Sequence, residues 1–351
     1  MKVGSSSRPR LRDIANSLGI SVNTVSRALA GKDNVSEETR ERVRNEAERI
    51  GYVPNALARS LVLGSNNTLG LVITNPSNPL YAQLISSVEQ QAKAAGYSLL
   101  LLVSEESEEG ERSAVESLLQ AAVDGAIVVP VQTKHRHWRR LQDAGIPIVL
   151  VNRNLPELDT DHVGVDNEYG AYLATKHVID QGARSVWALE EDLPITTIAA
   201  RIEGFRRAMW EAGLAVSPKE ILHVPTRRLE SFALPWQAEE AYRVSVEALQ
   251  NQPAPDAVIA GNDYFALGLM KALTEAGVSI PEETLVVGYG DHPYSAYITP
   301  PLSSVSLPGF AVGRRAVEMF LKRQSARGSE PVSELISPNL EVRNSAAKQD
   351  K

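Results

Sequence analysis

Four apolar runs stand between residues 68 and 152, with stretches of helical periodicity between them. TLGLVIT (68–74), YSLLLLV (97–103), GAIVVP (125–130) and IPIVLVN (146–152) are separated by the helix-like segments 81–96, 110–123 and 136–145. A strand with one wet face alternates polar and apolar residues, so runs this uniformly apolar read as parallel strands covered on both sides. A second series begins at HVGVD (162–166) and continues through SVWALE, EILHVP, DAVIAG and TLVVGYG (284–290), again with helical segments between. The pattern predicts two doubly wound α/β subdomains whose ligands sit outside the carboxyl ends of the strands, in a cleft where the subdomains face each other.

The chain has 351 residues, enough for a large body and a small additional domain. Its 43% hydrophobic and 23% charged residues are those of an ordinary globular protein. No apolar run approaches the ~18 residues of a membrane span, and MKVGSSSRPRLRD at the N-terminus has no apolar stretch behind its basic residues. A cytoplasmic protein without a membrane partner is expected. The absence of cysteine excludes disulfides, thiolate zinc sites and a cysteine nucleophile.

Net charge is -7, but it is unevenly placed. Residues 1–60 carry 11 Lys and Arg against 7 Asp and Glu, net +4, and the remainder carries 25 against 36, net -11. A small cationic head on an acidic body suits a DNA-binding module attached to a domain that does not touch DNA.

Within that head lies DIANSLGISVNTVSRAL (13–29), a helical pattern broken at Gly19. Ile14, Ala15 and Leu18 recur at helical spacing, and Val22, Val25, Ala28 and Leu29 restart it. Glycine fits a turn that needs positive φ, Ala15 is small where a second helix must cross closely, and Val25 plugs the angle between the two. These are the marks of a helix-turn-helix, with Ser21 capping its second helix. A third helix follows, opened by Ser36, carrying Val43, Ala47 and Ile50, and closed by Gly51. Residues 55–62 are apolar on one side and too short to be stable alone.

The order DIA..LGIS..TVSRAL...VSEETRERV...A...GYVPNALARSL resembles the LacI/GalR family of bacterial transcription regulators, and the likeness runs from about Leu11 to about Arg343. The resemblance implies an all-α head at 1–54, a hinge helix and linker at 55–66, and an effector-binding and dimerisation domain like a periplasmic binding protein at 67–351. It places crossings between subdomains near 164–168, 292–298 and 325–333. The helix from Ser21 to Leu29 corresponds to the recognition helix, with Val22, Asn23 and Arg27 aimed at base edges. Arg pairs with guanine, Asn with adenine, and Val can touch a thymine methyl. Thr24, Ser26 and the backbone near Asn55 are expected on phosphates, and Leu61 falls where the family wedges a leucine into the minor groove. The implied partners are an operator duplex, a second copy of the chain and a small-molecule effector, with no cofactor and no metal. The protein is expected on the nucleoid when DNA-bound.

Cleft candidates on the same resemblance are Leu80, Tyr81, Asn152, Thr197, Arg201, Trp236, Asn262 and Asp291, Arg201 standing at the family's effector-binding arginine. A guanidinium, amides and an indole suit a polyhydroxylated ring or another small polar molecule. Three departures stand out. Gly290 replaces the acidic residue that usually follows VGY or VGF, leaving Asp291 as the acceptor. Glu190 and Glu191 replace a glycine pair, which puts a simple hexose in doubt and could favour a cationic ligand, although solvated surface glutamates are the commoner explanation. Arg227 and Arg228 add positive charge on the cleft side. Gly290 raises one alternative, a ligand-independent repressor whose cleft has decayed, and an α/β enzyme with a DNA-binding head is the other. An enzyme is disfavoured: GxSxG, HExxH and GxxxxGK[ST] are all missing, and the HxH pair His135 and His137 reads as an exposed basic loop.

Overall fold

The structure, a computed structural model, describes residues 9–29, 34–52, 66–228, 238–326 and 328–347. Contacts divide the chain into two compact units, Met1–Asn66 and Asn67–Lys351. The expected hinge at 55–66, with Asn55 and Leu61, and the cleft candidate Trp236 lie outside the described residues, apart from Asn66.

The described residues of the first unit form three helices: α1 (Leu11–Leu18), α2 (Val22–Leu29) and α3 (Glu37–Arg49). Ile14, Ala15, Val25, Ala28, Val43 and Ala47 form its buried centre. Gly19 ends α1 at φ 67°, ψ 29°, and its N–H donates to the Ala15 carbonyl. A Cβ there would meet nothing within 4 Å, so backbone conformation, not space, asks for glycine. Ser21 accepts from the Thr24 N–H at 3.0 Å, and Ser36 does the same for Thr39 at 3.3 Å, capping α2 and α3. Glu46 of α3 takes both a Ser17 hydroxyl from α1 and a two-pronged Arg49 contact at 2.7 Å. Those hydrogen bonds, Arg49 first and Ser17 second, hold the Glu46 carboxyl down at about 2.

The second unit contains two six-stranded sheets. The first runs β11 (Ser333–Ile336), β5 (Asp161–Val165), β4 (Ile148–Val151), β3 (Gly125–Val128), β1 (Thr68–Ile73) and β2 (Ser98–Val103) in spatial order, all parallel. The second runs β12 (Asn339–Glu341), β10 (Ser303–Ser306), β9 (Leu285–Gly290), β8 (Ala257–Ala260), β6 (Val186–Asp192) and β7 (Ile221–Pro225), parallel except for β12. Strand period then sorts the apolar residues onto two faces. Leu69, Leu71 and Ile73 pack with Leu84, Val88 and Phe320, whereas Val72 and Val128 pack with Leu118, Trp138 and Leu141. No helix among the described residues is long and apolar enough to cross a membrane.

The crossing near 164–168 stands where expected, and the other two need correction. HVGVD, read as opening the second series, lies in β5 of the first sheet, and the chain leaves that sheet at Asp166, where the Asp166 side chain caps α7 (Asn167–Asp180). Residues 292–298 do not cross, because after a short turn at Pro293–Ala296 the chain re-enters the second sheet as β10, parallel to β9. It crosses at Leu307 and Pro308, before α11 (Gly309–Ser325) packs back on the first sheet through Val312, Ala316 and Phe320. Residues 325–333 do not cross either: β11 pairs with β5, and the last passage is at Ser337 and Pro338, between β11 and β12. The short, polar sequences of β10 to β12 carry none of the apolar signal that marks the earlier strands.

Candidate functional site

In the head, α2 has two faces. Val25 and Ala28 are buried, while Ser21, Val22, Asn23, Ser26 and Arg27 are exposed. Thr24 is half-buried, with its hydroxyl 2.8 Å from that of Ser21. Because Val25 and Ala28 fix the helix against α1 and α3, Val22, Asn23, Ser26 and Arg27 are presented together. A helix held this way offers one guanidinium, one amide and one apolar side chain of the size a major groove admits.

In the second unit the cleft lies between the two lobes, at the carboxyl ends of their strands, and with its open mouth encloses about 810 Å³. Leu80, Tyr81, Asn152, Thr197, Arg201 and Asn262 all line it. Leu80 and Tyr81 stand in the first turn of α4 (Pro79–Ala94), where Asn78 accepts from the Leu80 N–H at 3.0 Å. Asn152 follows β4 at φ 64°, and Asn262 caps α10 (Asp263–Glu275) by accepting from the Phe265 N–H at 2.9 Å. Thr197 and Arg201 sit one helical turn apart on α8 (Thr196–Glu211).

Asp291 is a correction, because it does not line the cleft. Its φ of 48° turns the side chain toward Arg343, whose Nη2 lies 2.7 Å from Oδ1 without hydrogen-bond geometry. Gly290 has a structural reason: at φ 130° a Cβ would stand 2.7 Å from the His292 ring, which itself lines the cleft beside Tyr264.

The two glutamates are buried, not solvated: Glu190 is 4% exposed and Glu191 3%. Arg201 grips Glu190 with Nε on Oε1 and Nη2 on Oε2, both at 2.7 Å, and its guanidinium lies 5.1 Å from the Tyr289 ring centre. Burial alone would lower the Arg201 pKa, but the Glu190 charge overrides it and raises it. Glu191 accepts from Thr226 at 2.7 Å and from Arg228 Nη2 at 2.5 Å. Arg228 Nη1 reaches Glu106 at 2.9 Å, and Arg153 forks onto the same Glu106 with two bonds of 2.7 Å. Burial pushes the Glu106 carboxyl up, and Arg153 and then Arg228 more than reverse this, leaving it at about 2. Arg153 and Glu106 escaped the sequence reading, although Arg153 directly follows Asn152 at a strand end. His137 is also a correction: it is buried on α6 (Arg136–Asp143), with Nε2 2.8 Å from Glu111. Among the described residues no three His, Asp or Glu are grouped to hold a metal ion.

Residues 10–55 match the family described as bacterial regulatory proteins of the lacI family, and 175–346 match the periplasmic binding protein-like domain. The HTH-type transcriptional repressor PurR of Haemophilus influenzae (strain PittEE) is 31% identical over 339 residues, covering 95% of this chain and 98% of that protein. The chain belongs to the LacI family. The PurR repressor of Histophilus somni (strain 129Pt) is 30% identical over 336 residues, with 95% and 98% coverage. Among solved structures, a Lac repressor dimer bound to operator and the anti-inducer ONPF superposes with a TM-score of 0.85 at 22% identity, covering 97% of this chain and all of that one. The regulator CelR in complex with cellobiose gives 0.71 at 27% identity, with 96% and 100% coverage. This LacI-family member is a DNA-binding transcriptional repressor with an effector-binding domain.

Proposed function

We propose that the repressor acts as a homodimer on a pseudo-palindromic operator and that a small polar metabolite in the cleft changes its operator affinity. The observation that carries the DNA half is the exposed face of α2, where Val22, Asn23, Ser26 and Arg27 stand opposite buried Val25 and Ala28. On this reading Val22, Asn23 and Arg27 read bases, Ser21, Thr24, Ser26 and Asn55 position the helix on phosphates, and Leu61 wedges the central minor groove. The domain limits are 1–54, 55–66 and 67–351. Two-fold protein symmetry calls for two-fold half-sites. The edge strand β2 supports a second copy, since Leu101 and Val103 are each 40% exposed on it. A similar Lac repressor is a dimer bound to operator, and the similar regulator CelR is bound to cellobiose.

Ligand control requires the ligand to bind the DNA-bound and free states with different affinity. Leu80, Tyr81, Asn152, Thr197, Arg201 and Asn262 are the contacts we assign to it. The ligand-independent alternative rests on Gly290, for which packing offers a second reason, since a Cβ there would stand 2.7 Å from the His292 ring. We read the protein as a regulator without catalysis, resident in the cytoplasm and on the nucleoid. Operator selection from random duplexes, with and without sugars, sugar acids, nucleosides and amines, tests the proposal. A palindrome whose occupancy changes with one compound supports it. Indifference to every compound leaves a repressor without this control.

A further inference from the structure

Among the described residues, every ionised side chain on the cleft wall already has a partner of opposite charge. Three guanidinium groups, Arg153, Arg201 and Arg228, meet three carboxylates, Glu106, Glu190 and Glu191, and none of the three carboxylates is more than 5% exposed. The set is neutral and closed on itself. Among the described residues, a cation entering the cleft would find no unpaired carboxylate, and an anion would find no unpaired guanidinium. Separating any of these pairs inside the protein would leave a buried charge uncompensated.

Glu190 decides the matter at Arg201. Its carboxylate takes the Nε N–H and one of the two Nη2 N–H groups, leaving Arg201 the Nη1 group and one Nη2 N–H to offer the cleft. The seat of Glu190 is built into the second sheet. A Cβ on Gly261 would lie 2.3 Å from Glu190 Oε2, so that glycine makes room for the pair. Asn152 and Asn262 add uncharged amide groups on the two lobes.

We infer that Glu190 is a specificity-determining residue, which neutralises Arg201 and restricts the cleft to an effector without net charge that offers an uncharged acceptor, such as a hydroxyl, carbonyl or ring nitrogen, to the Arg201 Nη1. This rests on the reading of the cleft as the effector site. It excludes phosphate esters and free acids, which a lone arginine would favour.

Two measurements on the full-length repressor decide it. In the first, inorganic phosphate is titrated calorimetrically. The native protein shows no saturable binding up to about 10 mM, Glu190→Gln binds phosphate with a Kd on the order of 1 mM or tighter, and the added change Arg201→Met abolishes that binding. Arg201-dependent phosphate binding by the native protein, or none by a folded Glu190→Gln variant, overturns the inference. Should Glu190→Gln fail to fold, Glu190→Ala, which also removes the carboxylate from Arg201, should show the same gain; if it folds and shows none, the inference falls.

In the second, operator release is compared for matched pairs, a hexose with its phosphate ester and a nucleoside with its monophosphate. Release by the uncharged member supports the inference. Release by the charged member overturns it and leaves the effector reading standing. If no compound acts, the effector reading fails, and the phosphate titration still decides the role of Glu190.

Discussion

Arg228 Nη1 donates to Glu106 Oε1 at 2.9 Å, and this contact ties the two lobes of the effector domain together. Glu106 follows β2 of the first sheet, and Arg228 follows β7 of the second. Each is clamped within its own lobe, Glu106 by Arg153 and Arg228 by Glu191, so neither side chain must be ordered when the lobes meet. A second bridge lies nearby, where the Thr196 N–H donates to Gln132 Oε1 at 3.0 Å and Gln132 Nε2 donates to the Thr196 hydroxyl at 3.0 Å.

Arg228→Met should therefore loosen closure. Removing one partner of a buried pair typically costs about 3–5 kcal/mol, because the other charge is left uncompensated. Part of that cost is relieved by opening, so exchange of the Thr196 amide, whose acceptor lies across the cleft, should quicken by at least about tenfold. Amides inside β6 and β8 serve as the reference for each lobe's own stability. Unchanged exchange at Thr196 would mean that Arg228 does not hold the lobes.

Arg27→Ala should weaken operator binding by about 1–3 kcal/mol and relax selectivity at one base position. The side chain is exposed beside Asn23 on a helix whose opposite face is buried, so the fold should be undisturbed. Competition between the selected operator and random duplex checks this. Equal losses on both would reduce Arg27 to a phosphate contact.

Gly19→Ala should destabilise the head by about 1 kcal/mol, the steric cost of left-handed backbone for a residue with a Cβ. Since nothing lies within 4 Å of that Cβ, the loss would come from φ 67° alone. Chemical denaturation of the head, followed by amide exchange at Val25 and Val43, measures it. An unchanged midpoint would show that the turn accepts a side chain there.

The fold was legible where apolar length carries it. Runs such as TLGLVIT and IPIVLVN announce strands because both faces are covered, and Gly19 marks the turn because only backbone conformation demands it there. The two later crossings were misplaced because SSVS, SELI and NLE are short and polar, and pairing with distant strands decides their sheet. In the cleft, strand ends and helix starts pointed to Asn152, Thr197, Arg201 and Asn262. Charged residues in the pattern WALEED were read as solvated because sequence spacing says nothing of a partner. Glu106 and Arg228 stand 122 positions apart and meet only through the facing of two sheets.

Acid should weaken the effector domain in two stages, set by His162 and Glu106. Burial pushes the His162 ring from 6.5 down to about 4, against the opposing effect of a backbone hydrogen bond with Asn152. Above pH 6.5 the ring is neutral whether the chain is folded or unfolded, and it does not bias the equilibrium. Between 6.5 and about 4 the unfolded chain takes up a proton that the folded chain refuses, which favours unfolding by up to about 3 kcal/mol. Glu106 acts lower, because its folded value of about 2 lies below the ordinary 4.5. Its contribution is complete above 4.5 and is lost as pH falls toward 2, when the unfolded carboxylate protonates first. His162→Gln should flatten the upper stage, so that the fall in Tm between pH 6.5 and 4 shrinks by about 5–10 °C while the lower stage remains. Thermal unfolding of the two proteins at half-unit pH intervals would show it, and parallel curves through the upper stage would assign that stage to a group other than His162.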